Sequence, residues 1–193
     1  MNQVILLVVV VGVVAAIGAA IYFMRRKRSL QLQTRFGPEY DHALHGFKDR
    51  RAAERALVER TRRVEKLEIR PLPALRRDEL SKRWQAVQAQ FVDDPASALR
   101  EAHTLLAMVM HEQGYPTGRF AEEVELLSVH HPAAVQHYRA AHRIADEQGA
   151  GRGATEDLRQ AMIHYRALFD DLLIMGANPA RETQPRREVR HEA

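Results

Sequence analysis

The chain has 193 residues, no cysteine and a formal net charge of +4. Without thiols there is no disulfide, no thiolate nucleophile and no cysteine-based zinc or iron–sulfur site. The charge is uneven: residues 25–35 hold five basic and no acidic side chains, and everything after them sums to −1. A nucleic-acid binder carries its basic patch on the folded domain, so nucleic acid is not an expected partner.

Val4 to Met24 is a run of 21 residues without a charge. At about 1.5 Å of rise per residue, a helix of that length crosses a hydrocarbon core of roughly 30 Å. A secretory signal has a basic leading region, a shorter apolar stretch and a small-residue cleavage site. Here Met1, Asn2 and Gln3 precede the run and Arg25 follows it directly, which predicts an uncleaved anchor. Gly12 and Gly18 lie six apart, not at the four-residue spacing of a small-residue pairing face. The basic residues Arg25, Arg26, Lys27 and Arg28 are membrane-surface candidates. By the retention of Lys and Arg on the cytoplasmic side they place residues 1–3 outside and the rest of the chain in the cytoplasm. The lipid bilayer is the first expected partner.

Beyond a basic juxtamembrane segment (25–35), residues 36–176 read as one helical domain and 177–193 as a polar, disordered tail. Pro38 suits a first helical turn, and one long charged stalk helix is predicted from there to about Glu68. Its apolar positions Tyr40, Leu44, Phe47, Leu57, Val64 and Leu67 are sparse, and Arg50–Glu54, Arg55–Glu59 and Glu59–Arg63 are four apart, as on a solvated, ion-paired surface. Pro71 and Pro73 break it. Leu80, Trp84, Val87 and Phe91 form the stripe of a next helix. Asp94 then caps another, with Pro95 in its first position, Leu99, Ala102, Leu105, Leu106, Val109 and Met110 inward, and Gly114 ending it. A short helix over 119–127 carries Phe120, Val124 and Leu127. One opened by Pro132 carries Val135, Tyr138, Ala141 and Ile144. The last, opened by Thr155 as its cap, carries Leu158, Met162, Tyr165, Leu168, Phe169 and Leu172. The fold class is therefore all-α: an N-terminal transmembrane helix, a stalk helix and a bundle of about five or six helices.

Catalytic patterns are weak. Ten histidines invite a metal, but HExxH is absent. Glu39-Tyr40-Asp41-His42 matches one Glu-x-x-His element of a di-iron bundle with no second copy. Gly149, Gly151 and Gly153 follow a helix and lack the Lys-Ser/Thr ending of a phosphate loop. Ser128 and His130 are close in sequence without a nucleophile elbow. Asp93–Asp94 and Asp170–Asp171 are explained by a cap and a solvated helix face. No catalytic, cofactor-binding or metal residue is assigned, and no cofactor is expected.

The segments "RFGPEYD", "RVEKLEIRPL", "QAQFVDDP", "HEQGYP", "LSVHHP", "VQHYRAAHRIA" and "TEDLRQAMIHYRALFDDLL" resemble an uncharacterised family of bacterial N-terminally membrane-anchored helical proteins, usually labelled hypothetical or secreted. The resemblance implies a bacterial inner membrane location and supplies no activity. The expectation is a non-enzymatic, membrane-tethered cytoplasmic interaction or scaffold module with a protein partner, the "GYP" and "HHP" turns and the last helix being candidate contact surfaces. The alternatives are an enzyme with a scattered His/Glu/Arg site and an envelope or lipid-surface structural protein.

Overall fold

The computed structural model describes residues 2–149 and 154–175; the side chains of residues 2–11, 14 and 175 are outside the description. The expected polar tail (177–193) and the glycines Gly151 and Gly153 also lie outside the described residues. Among the described residues the chain is all-α, with eight helices and no strand. It divides into two compact units, Met1–Val58 and Glu59–Ala193.

In the first unit, α1 (Asn2–Phe36) is one continuous helix of 35 residues. Nothing between Gly18 and Gly37 breaks it, because the basic segment and "SLQLQTRF" are good helix formers. The basic juxtamembrane segment, 25–35, is thus part of this helix. Gly37 stops the helix at φ +47, its N–H bonded to Gln33 O at 2.8 Å, and Pro38 starts α2 (Pro38–Gly46).

The single stalk helix expected over 38–68 is two helices. Phe47 turns extended, at φ −124 and ψ 148, and α3 (Arg50–Val64) begins afresh. The side chain of Asp49 accepts from Arg51 N–H at 3.2 Å at that start. Gly46 and Asp49 are the signals of this break that the helix formers after them masked; the Asp49 bond and the burial of Ala53 and Leu57 favour it. Ser29, Leu32 and Phe36 on α1, Tyr40 and Ala43 on α2, and Ala53 and Leu57 on α3 form this unit's core. Full burial of side chains the size of Phe36 and Leu57 contributes about 1.5–3 kcal/mol each.

From residue 12 to residue 28 every described side chain of α1 is exposed, and burial begins only at Ser29. Val13, Ile17, Ile21, Phe23 and Met24 are 40–64% exposed, so none of the described residues covers them. Among the described residues no helix is long and apolar enough to cross a membrane; within the Val4–Met24 run the side chains of residues 4–11 and 14 are outside the description.

The second unit contains α4 (Ala74–Gln90), α5 (Pro95–Gln113), α6 (Phe120–Leu127), α7 (Ala134–Gly149) and α8 (Thr155–Met175). Helix α8 packs along α7 and α5, α5 along α4, and α6 along α7. The apolar residues assigned inward on α5, α7 and α8 are all buried, as are Leu80, Trp84 and Val87 on α4; Phe91 is half-buried. Trp84 stacks on Phe169 with centroids 4.6 Å apart. Asp94 caps α5, its side chain accepting from Ser97 N–H at 3.0 Å. Thr155, expected as the cap of α8, is instead its first helical residue, while Asp157 reaches back to Ala154 N–H at 2.9 Å. Gly114 ends α5 at φ +99, and a Cβ there would meet Glu68 O at 2.6 Å. The adjoining Arg70 N–H donates to Gln113 O at 2.9 Å, so this chain crossing needs a glycine.

Candidate functional site

Directly after the apolar run, the first unit holds a cavity of about 880 Å³ between α1 and the start of α3. Helix α1 lines it with Tyr22, Arg25, Arg26, Arg28, Ser29 and Leu30, and the α3 side with Asp49, Arg50, Arg51, Glu54 and Arg55. Of the four membrane-surface candidates, Arg25, Arg26 and Arg28 are brought together here, and Lys27 is not part of the lining. Residues 25, 26 and 28 fall within one helical turn, and Arg51 and Arg55 share a face of α3 as an i,i+4 pair.

The two acids in this wall are engaged. Glu54 Oε1 accepts from Ser29 Oγ at 2.5 Å, Tyr40 OH at 2.8 Å and Arg50 Nε at 3.0 Å, and the Arg50 guanidinium also donates to Ser29 Oγ. Burial pushes the Glu54 carboxyl up, but the three donors outweigh it and hold it below the usual carboxylate range. Arg50 is raised by its bond to Glu54. Among the described residues, no carboxylate pairs with Arg25, Arg26, Arg28, Arg51 or Arg55. The start of α3 is capped by Asp49, which accepts from Arg51 N–H at 3.2 Å, and no further acid occupies its first turn.

The second unit has a buried polar network. Glu123 receives Gly118 N–H on Oε1 at 2.7 Å and the Tyr138 hydroxyl on Oε2 at 2.6 Å, with His103 Nε2 3.5 Å from that hydroxyl. Glu123 and Tyr138 are buried. Burial, reinforced by Glu123, raises the Tyr138 phenol far above its ordinary range, and burial lowers His103. Both keep the ring groups neutral at ordinary pH. The network fixes the start of α6 against α5 and α7.

The histidines are dispersed. His131, nearly inaccessible, pairs with Asp171 at 2.6 Å, which corrects the reading of Asp170–Asp171 as a purely solvated pair. His130 Nδ1 lies 2.8 Å from Tyr115 OH, and Tyr115 also stands edge-on to His131, so the "GYP" and "HHP" turns direct their rings at each other. His137 and His164 face each other with Nδ1 atoms 3.0 Å apart. Ser128 donates to Glu125 O at 2.7 Å, which leaves its hydroxyl bonded within its own turn. Glu39 is buried and His42 exposed. Among the described residues no group of three or more His, Asp or Glu side chains is placed to hold a metal ion. The expected Glu59–Arg63 pair is replaced: Glu59 binds Arg62 at 2.7 Å, and Arg63 reaches Glu125 on α6 at 2.5 Å.

Comparisons with protein-family models, curated proteins and solved structures found no match to this chain.

Proposed function

We propose that the chain is a membrane-tethered interaction module: the apolar run of α1 anchors it in a bacterial inner membrane, Arg25 to Arg28 lie on the cytoplasmic side, and the helical unit beyond Glu59 meets a protein partner. The supporting observation is the uncovered apolar stretch of α1 over its described side chains between residues 12 and 24. An all-round exposed apolar helix in water loses about 25 cal/mol for every Å² it leaves wet, and a bilayer removes that cost. Tyr22 and Phe23, ring centroids 5.6 Å apart, sit at the end of the run where interfacial aromatics are enriched.

The absence of native cysteine makes the test clean. Single cysteines replacing Leu75 or Val92, which are 73% and 83% exposed, would be probed in spheroplasts with a membrane-impermeant maleimide. Labelling only after lysis is expected. Labelling of Val92→Cys in intact spheroplasts would overturn the cytoplasmic assignment, and recovery of the protein in the soluble fraction would overturn the anchor. Crosslinking with a permeant reagent then identifies the partner. A second reading, a lipid-surface role, is favoured specifically by the arginine cavity.

A further inference from the structure

We infer that the cavity between α1 and α3 is a binding site for the headgroup of an anionic phospholipid carrying two phosphates. This rests on the membrane reading of α1 and adds to it a defined ligand.

The charge argument comes first. Six guanidiniums, from Arg25, Arg26, Arg28, Arg50, Arg51 and Arg55, line the space against two carboxylates. Glu54 is consumed by three donors, and Asp49 caps α3. The remaining five arginines converge without a counter-charge among the described residues. Like charges at i,i+4, as Arg51 and Arg55 are, destabilise a helix by about 0.2–0.5 kcal/mol, and cations at a helix N-terminus oppose its dipole by about 0.3–1 kcal/mol. An anion in the cavity reverses the sign of both effects. Arginine suits phosphate particularly, since its planar fork binds two oxygens at once.

Position selects the source of the phosphate. Tyr22 and Leu30 contribute apolar surface to the same wall, and Ile21, Phe23 and Met24 are exposed at the adjoining level of α1. The cavity therefore opens where acyl chains meet headgroups, and its chemistry runs from apolar to cationic along α1. Size selects the number of phosphates. The volume of about 880 Å³ is in the range of sites for drug-sized molecules, and five guanidiniums without a carboxylate among the described residues, one of them bonded through Nε to the Arg51 carbonyl at 3.3 Å, exceed what one phosphodiester can engage. Basic pockets beside membrane helices on the cytoplasmic face hold headgroups of this kind.

Ser29 and Glu54 give the site its frame. By gripping Arg50 and Ser29 together, Glu54 ties α1 to α3 within the cavity lining, so the two helices that carry the arginines are joined before any lipid arrives. Such preorganisation reduces the ordering cost of binding.

The test uses the full chain purified from membranes and exchanged into nanodiscs of phosphatidylcholine with either cardiolipin or phosphatidylglycerol, matched in total charge. Bound lipid is counted by native mass spectrometry after ejection. The wild-type protein is expected to retain one cardiolipin in preference to phosphatidylglycerol. The double variant R51Q/R55Q is expected to lose retention about thirtyfold, from about 1 kcal/mol per arginine near an anionic surface. These two residues lie outside the apolar run and its collar, so insertion is unaffected, and both are exposed, so the helical signal by circular dichroism stays unchanged. Equal retention of the two lipids, or unchanged retention in R51Q/R55Q, overturns the site. A soluble diphosphate that displaces cardiolipin at equal concentration also overturns it, by assigning the cavity to a soluble anion. Failure of the protein to sediment with membranes in the first step marks failure of the membrane reading itself, separately from these outcomes.

Discussion

Replacing Tyr138 with phenylalanine removes one oxygen and leaves the ring packing in place. That oxygen donates to Glu123 Oε2 at 2.6 Å in a fully buried setting, and the carboxylate's other oxygen is held by Gly118 N–H at 2.7 Å. Hydrogen bonds to charged groups contribute about 1.5–3 kcal/mol, and the loss is felt in full when the acceptor stays buried. Tyr138→Phe should therefore destabilise the second unit by about 2 kcal/mol. For a domain of this size 1 kcal/mol moves the melting point by about 4 °C, so a drop of about 8 °C is expected. The single tryptophan, Trp84, stacked on Phe169 inside the same unit, supplies a fluorescence signal for urea unfolding of the detergent-solubilised chain. In a Glu123→Gln background the charge is gone and the same Tyr138 change should cost about 1 kcal/mol less, a coupling that a double-mutant cycle measures. A loss under about 0.5 kcal/mol, or no coupling, would refute the assignment of Glu123 and Tyr138 as a paired anchor.

Gly114→Ala should lower stability by at least about 2 kcal/mol, because the left-handed backbone costs about 1–2 kcal/mol and the new Cβ collides with Glu68 O. Gly118→Ala, at φ +115 with open space around it, should cost only about 1 kcal/mol, and the two compared by urea midpoint separate backbone strain from collision. Burial lowers the His103 and His164 imidazoles, so the folded state takes up fewer protons than the unfolded chain. The stability this neutrality supports is present above an unfolded value of about 6.5 and declines as pH falls below it. Melting measured at pH values on either side should show that loss, and it should shrink in His103→Gln; a pH-independent midpoint would count against buried neutral imidazoles.

Long-range pairing was the least legible part of the sequence. Helices α4, α5 and α8 were readable because each keeps an apolar stripe over several turns, and α5 carries explicit stops in Asp94-Pro95 and Gly114. The break at Phe47 to Asp49 is marked only by Gly46, the last residue of α2, and by Asp49, and the strong helix formers that follow over 50–64 outweighed both. Asp171 read as a solvent-facing acid because its partner, His131, stands forty residues away. The same holds for the arginine cavity. Arg25 to Arg28 were visible as a run, whereas Arg51 and Arg55 looked like ordinary charges of an exposed helix until α1 was seen to continue unbroken alongside them.

That continuity sets a rotational phase. With about 100° of turn and about 1.5 Å of rise per residue, α1 carries the angular position of Arg25, Arg26 and Arg28 rigidly into the stripe of Ser29, Leu32 and Phe36 that docks the rest of its unit. One neutral residue inserted between Arg28 and Ser29 would swing the arginines by about 100° away from Arg51 and Arg55 without altering charge or anchor length. Seven would restore the heading to within about 20° but displace the arginines by about 10 Å along the axis. In this helix the spacing between the apolar run and residue 29 is part of the site, as much as the side chains themselves.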